Sequence, residues 1–143
     1  MRFEVTTEKA RIDFDRVFTF LNGESHWAAG IPRDLFDRAM ANSLCFAGLW
    51  GQETVAFARV ISDFATHATL VDVFVEPTFR GNGYSRALMD AVLSHPDLQD
   101  LRRFSLATRT AHGLYEKYGF GPPLFPETLM ERYDPEIYKK ADT

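Results

Sequence analysis

The sequence predicts one domain that mixes helices and strands, α/β or α+β in class. Three observations predict it. The chain has 143 residues, the size of a single domain. Its apolar residues recur at helical spacing in some windows and alternate as in strands in others. Hydrophobic residues make up 45% of the chain, enough for an independent core at this length.

The elements follow in order. Phe3 and Val5 alternate with polar neighbours, as in a short first strand. Phe14, Val17, Phe18 and Leu21 mark an amphipathic helix over 11–22, ended by Asn22-Gly23. Residues 24–32, with His26 and Trp27, read as a loop. Leu35, Phe36, Ala39 and Met40 predict a second helix over 33–42. Leu44 to Trp50 and Thr54 to Ser62 form a hairpin about Gly51-Gln52. A turn at 63–67 leads to a strand over 68–75, rich in Val and Phe. A helix follows over 81–95, with Ala87, Leu88, Ala91 and Val92 on its apolar face, and Pro96 bars its continuation. Phe104 to Ala107 reads as a buried strand, Ala111 to Tyr118 as a helix stopped by Gly119, and Thr128 to Tyr133 as a last strand. The polar tail from Asp134 to Thr143 is expected to fray. No repeat or low-complexity linker divides the chain, so 1–143 is expected to be one domain.

Chemistry concentrates in Asp72-Val-Phe-Val-Glu-Pro-Thr-Phe-Arg-Gly-Asn-Gly-Tyr-Ser85, where a strand runs into a glycine turn and then a helix. Unpaired N–H groups at a helix start favour an anion, and glycines let it come close. A pyrophosphate is the expected ligand. The run is not a P-loop, which needs Gly-Lys-Ser/Thr at its end. It is not a dinucleotide fingerprint either, since Arg86 stands where the third glycine belongs.

Arg80-Gly-Asn-Gly83-Tyr-Ser85 resembles the Arg/Gln-x-x-Gly-x-Gly/Ala coenzyme A loop of the GNAT acetyltransferase superfamily. Only Ser85 departs from that pattern. Leu114-Tyr-Glu-Lys-Tyr-Gly-Phe120 resembles the Tyr-x-x-x-Gly-Phe end of the superfamily's last conserved helix. The resemblance covers residues 43–121 well and the first 40 loosely. It implies an α/β fold of the α+β type: a mixed, mostly antiparallel central sheet with helices on both faces. It also implies an N-acetyltransferase that moves an acetyl group from acetyl-CoA to a primary amine of a small molecule or peptide.

Residue by residue, the resemblance implies that the main chain of Val73, Phe74 and Val75 pairs with the pantetheine arm. An N–H near Phe74 or Val75 would polarise the thioester. Arg80, Gly81, Asn82, Gly83, Tyr84 and Ser85 would hold the pyrophosphate. Tyr115 would protonate the departing thiolate, with Tyr118 the competing tyrosine. A tyrosine stays protonated at neutral pH, as an acid must. Asp72 resembles an acidic residue at the acceptor pocket; the alternative is a structural salt bridge to Arg59. His26 and Trp27 fall where the family builds its acceptor loop, and Asp63 adds a further negative charge. Arg59, His67 and His112 are weaker candidates. The stretch 106–115 resembles a subgroup of small bacterial members with Asp where Thr110 stands. The rival reading is a non-catalytic acyl-CoA-binding module, which would be marked by loss of the tyrosine.

The net charge is −4, from 20 acidic and 16 basic residues. This disfavours nucleic acid and anionic membranes as partners and suits a cationic acceptor. The four His are scattered without ligand spacing, so no metal is expected. The single Cys45 forms no intrachain disulfide and reads as a buried thiol, in keeping with a cytoplasmic protein. No signal peptide or transmembrane run is expected. A homodimer is left open.

Overall fold

The computed structural model describes residues 1–140. Five strands form one sheet in the order β1 (Phe3–Thr6), β2 (Leu44–Trp50), β3 (Glu53–Ser62), β4 (His67–Val75) and β5 (Arg103–Leu106). The first four pair antiparallel and β5 lies parallel to β4. Among the described residues five α-helices accompany it: α1 (Phe14–Gly23), α2 (Arg33–Ala41), α3 (Tyr84–Ser94), α4 (His112–Glu116) and α5 (Ile137–Lys140).

Side chains alternate along each strand, so the sheet feeds two cores. Cys45, Ala47, Leu49, Phe57 and Phe74 face one way and meet Val17, Phe20 and Leu21 of α1 and Phe36 and Met40 of α2. Phe46, Ala56, Ala58, Val60 and Val75 face the other way and meet Leu88, Met89 and Val92 of α3 and Tyr115 of α4. The helices thus cover both faces, as the sequence resemblance implies.

Most boundaries fall within a residue of the sequence expectation, and the larger differences are these. Helix α1 starts at Phe14, not at residue 11, because the Asp13 carboxylate caps it by accepting from Arg16 N–H at 3.1 Å, while Lys9–Arg11 forms a 3-10 turn. Helix α3 starts at Tyr84, not at Gly81, because Gly81 and Gly83 have φ of +83° and +79°, outside the right-handed helix. Helix α4 ends at Glu116, short of Tyr118. The expected strand over Thr128–Tyr133 does not form. Those residues are exposed, preceded by a 3-10 turn at Pro126–Thr128, and no described strand lies beside them.

One close approach couples β2 to the start of α3. A Cβ on Gly48 would lie 2.6 Å from the Phe3 ring and 2.9 Å from the Ala56 Cβ. Glycine there lets Phe3 lie flat over the sheet, and the Phe3 ring in turn stacks on Tyr84 at 3.7 Å. The first residue of α3 is therefore held by β1 through a contact that only a glycine in β2 permits.

Candidate active site

Strand β4 is bent in the middle. Its register with β3 shifts between Phe57–Phe74 and Arg59–Val71, so β4 carries one extra residue there. Asp72 occupies the extra position with φ of +55°. On its other side β4 meets β5 only from His67 to Leu70. Beyond Leu70 the β5 side of the β4 main chain has no strand partner among the described residues. The Phe74 ring is stacked on Phe20 at 3.9 Å and Val75 lies in the opposite core, so the side chains anchor this stretch while its main-chain edge stays open.

The loop after β4 is fastened on both sides. Glu76 receives two hydrogen bonds from the Arg16 guanidinium of α1, one of them at 2.6 Å. Arg80 Nε donates to the Val75 carbonyl at 3.0 Å, and Asn82 Nδ2 donates to the Phe79 carbonyl at 2.9 Å. Gly83 is the N-cap of α3 and offers no side chain to the helix. The first N–H groups of α3, on Tyr84, Ser85 and Arg86, therefore lack an intrahelical or capping partner, and no acidic residue stands in the first turn. This is the electrostatic requirement for an anion site. A concavity of about 380 Å³ joins Val75, the Arg80–Ser85 turn and Leu114 of α4.

Tyr115 follows Leu114 directly. It is buried in the core on the α3 side, and burial raises its pKa above the usual tyrosine value. Its hydroxyl has no hydrogen-bond partner among the described residues and is not sealed from solvent. Tyr118 differs. Its hydroxyl donates to the Arg86 carbonyl at 3.3 Å, tying the turn after α4 to α3.

The acceptor-side candidates divide. Trp27, in the loop between α1 and α2, donates its indole N–H to Asp72 at 2.8 Å. Arg59 Nε donates to the other Asp72 oxygen at 2.8 Å, and Arg59 also donates to Ser43 Oγ. The His26 ring stands edge-on to Trp27 at 5.0 Å. The structure thus brings His26, Trp27, Arg59 and Asp72 together, and the salt bridge weighed as the alternative for Asp72 is present. Asp63 is elsewhere. It sits at the exposed tip of the β3–β4 hairpin, roughly 17 Å from the bulge by the five residues of strand between His67 and Asp72. There its carboxylate accepts from Ala65, Thr66 and His67 N–H and from the Thr66 hydroxyl, which hold its pKa far below the usual carboxylate range. It closes a turn rather than lining the group around Asp72. His67 shares that exposed tip, and His112 is exposed at the start of α4.

Two contributors were not legible in the sequence: Arg16, which fixes Glu76 from 60 residues away, and Ser43, which orients Arg59. Neither lies in a motif. Cys45 is fully buried, and burial raises its thiol pKa. No cluster of His, Cys, Asp and Glu able to hold a metal occurs among the described residues, and none of their helices is long and apolar enough to cross a membrane.

Comparison with known proteins decides what this frame is. The model of the Acetyltransferase (GNAT) family matches residues 12–120. The chain belongs to the GNAT acetyltransferase family. A crystal structure from Xanthomonas campestris pv. campestris, of a protein belonging to the GNAT family, is 56% identical, with a TM-score of 0.94 over 96% of this chain and 97% of that one. The uncharacterized N-acetyltransferase Ycf52 of Gracilaria tenuistipitata var. liui is 30% identical over 88 residues, which are 57% of this chain and 48% of the relative. A GNAT acetyltransferase of Elizabethkingia anophelis with acetyl-CoA bound shares the fold at a TM-score of 0.60 and 14% identity, over 91% of this chain and 85% of that one. In this GNAT protein the family match contains both the Arg80–Ser85 turn and Tyr115.

Proposed function

We propose that this GNAT protein transfers an acetyl group from acetyl-CoA directly to the primary amine of a small molecule or peptide. One observation carries the reading: a single concavity joins the end of the open β4 edge, the uncapped start of α3 and the residue next to Tyr115. An extended amide-bearing arm, a pyrophosphate and a departing thiolate need these three features, respectively.

The thioester supplies an activated acetyl carbon. The protein supplies the rest. The N–H groups of Tyr84, Ser85 and Arg86, with the turn Arg80–Gly83, bind the pyrophosphate. The open main chain of Val73, Phe74 and Val75 pairs with the pantetheine as a strand would. An N–H at Phe74 or Val75 stabilises the negative charge that grows on the carbonyl oxygen. The neutral amine forms the new C–N bond, the C–S bond breaks, the thiolate takes its proton from Tyr115, and the nitrogen releases its surplus proton to water, from which Tyr115 is reprotonated. Burial keeps Tyr115 in the protonated form that this role needs. Asp72 acts at the acceptor side through its charge and by holding the Trp27 loop against β4. His26 and Trp27 line that side.

The test is coenzyme A thiol release from acetyl-CoA against polyamines, aminoglycosides, amino acids and peptides. Release that depends on one of these amines and on Tyr115 is expected. Acetyl-CoA binding with no release in any arm would leave the rival, a non-catalytic acyl-CoA-binding module.

A further inference from the structure

One face of the sheet is only half covered. On the α1–α2 side the core takes Phe57 from β3 and Phe74 from β4, and among the described residues nothing of these strands nearer the hairpin tip. Alternation along β3 puts Arg59 and Ile61 on the same side as Phe57. Val71 pairs with Arg59, and Thr69 pairs with both Ile61 and Ser105 of β5, so these three share that side. Val71 and Ile61 belong to neither core among the described residues, and Ile61 is 47% exposed. A valine and an isoleucine on a sheet face ordinarily bury against a second layer. Here they form a shelf that runs outward from Asp72 and from the Trp27 indole, itself 41% exposed.

The shelf meets the reaction centre at its inner end. The last β4–β5 pair is Leu70 with Leu106, one residue past Thr69 and Ser105, and beyond it the two strands part. That gap joins the shelf to the open β4 edge. The concavity beside Tyr84 and Leu114 lies on the other side of the sheet, among residues packed with α3 and α4. We infer that the acceptor is a primary amine with an apolar arm, which lies on Val71 and Ile61 while its nitrogen stands at Asp72. The inference rests on the acetyl transfer proposed above and names the class of its substrate. Charge on the shelf decides against a polyamine or an aminoglycoside. Outward from Asp72 this side of β3, β4 and β5 holds no carboxylate among the described residues, and its far row is His67 beside Arg103. The Asp63 carboxylate at the tip is spent on its own turn. A second ammonium would find no partner along the shelf and would meet a guanidinium of its own sign. Two strand residues separate the Val71 row from the Thr69 row, about 7 Å, which sets the length of arm the shelf can cover.

The experiment is kcat/KM for coenzyme A thiol release by the full chain with acetyl-CoA. The acceptors are the straight-chain amines from propylamine to octylamine, with spermidine and kanamycin as polycations. kcat/KM should rise roughly twofold per methylene until the arm outruns the shelf, because full burial of one methylene is worth about fourfold and the shelf covers one side. Ile61→Thr and Val71→Thr each keep a β-branched residue in the strand, so the sheet is retained. Each should cut the ratio of octylamine to propylamine by roughly threefold. A flat series, or spermidine or kanamycin preferred over every alkylamine, overturns the inference and leaves acetyl transfer standing. So does a ratio unchanged in both variants. Acetyl-CoA binding without thiol release in any arm overturns the transfer reading, and the inference with it.

Discussion

At the scale of single residues, Tyr115 of α4 and Tyr118, two residues beyond the helix, use their hydroxyls differently. Tyr118 spends its hydroxyl on the Arg86 carbonyl, whereas Tyr115 has no such bond. Tyr115→Phe should therefore lower kcat by roughly 10²–10⁴, the usual span for a general acid, with acetyl-CoA affinity unchanged. Tyr118→Phe should act mainly on stability. The pH profile gives a second reading. Burial raises the Tyr115 pKa, so the protonated acid persists beyond the ordinary value near 10, and an alkaline fall in kcat that belongs to Tyr115 lies above that pH. Stability follows the same sign. Native and unfolded chains both hold this proton below pH 10, and stability falls above it as the unfolded chain deprotonates first. Asp72 predicts differently. Asp72→Asn removes the charge and keeps the size, so it should raise KM for a cationic acceptor and spare acetyl-CoA binding. Added salt should raise the wild-type KM as well, by screening over about 10 Å at 0.1 M. An anionic preferred acceptor would refute this electrostatic argument and leave the acetyltransferase reading standing.

At the scale of elements, the start of α3 is the part that a mutation can silence. Gly83 has φ of +79° and caps the helix with no side chain. Gly83→Asp keeps a residue that the left-handed backbone tolerates and places a negative charge against the pyrophosphate. Isothermal titration should show acetyl-CoA binding lost while the far-ultraviolet spectrum keeps its shape. Gly48→Ala attacks the same helix from behind. Its methyl would meet the Phe3 ring, and overpacking of this kind costs roughly 1–3 kcal/mol, measurable by urea denaturation. Because Phe3 holds Tyr84, a smaller loss of acetyl-CoA affinity should accompany it. The sequence reached these elements unevenly. The strands were readable because Leu44–Trp50 and the runs after it alternate or are apolar throughout, and the two glycines announced the turn. Helix ends were read less well. Asp13 as a cap and the left-handed glycines decide them through single dihedrals that periodicity does not register. The run Thr128–Tyr133 shows a different limit: strand pattern without a strand to pair with inside one chain.

For the molecule as a whole, both cores meet at β4, so a ligand lying along that strand should stabilise everything. Acetyl-CoA at about 100 times its Kd adds roughly 2.7 kcal/mol, or a rise in Tm of about 5–10 °C for a chain of this size. Scanning calorimetry checks it, and coenzyme A without the acetyl group should give most of the effect. Much of the candidate site was legible because it is contiguous: 72–85 and 114–120 each announce themselves. What binds it into one body was not. Arg16 reaches Glu76, Phe3 reaches Tyr84, and Trp27 reaches Asp72 across distances in sequence that no motif spans. Asp63, grouped with Asp72 by charge alone, lies at the far end of the hairpin for the same reason: net charge carries no address.

The bend at Asp72 narrows what evolution or an engineer can do there. A backbone at φ of +55° suits Asp, Asn and Gly and penalises nearly every other side chain. Position 72 can thus lose its charge by a change to Asn, whereas Glu, Lys or a hydrophobe there carries a backbone cost of about 1–2 kcal/mol beside the open β4 edge. Charge at this spot is close to a two-state choice. Diversification toward new acceptors would then have to run through the partners of Asp72. Arg59 lies on strand backbone and Trp27 on a loop, and neither has the positive φ that restricts position 72. A saturation library at 27 and 59 should yield altered acceptor preferences, while one at 72 should return mostly Asp and Asn among its stable members.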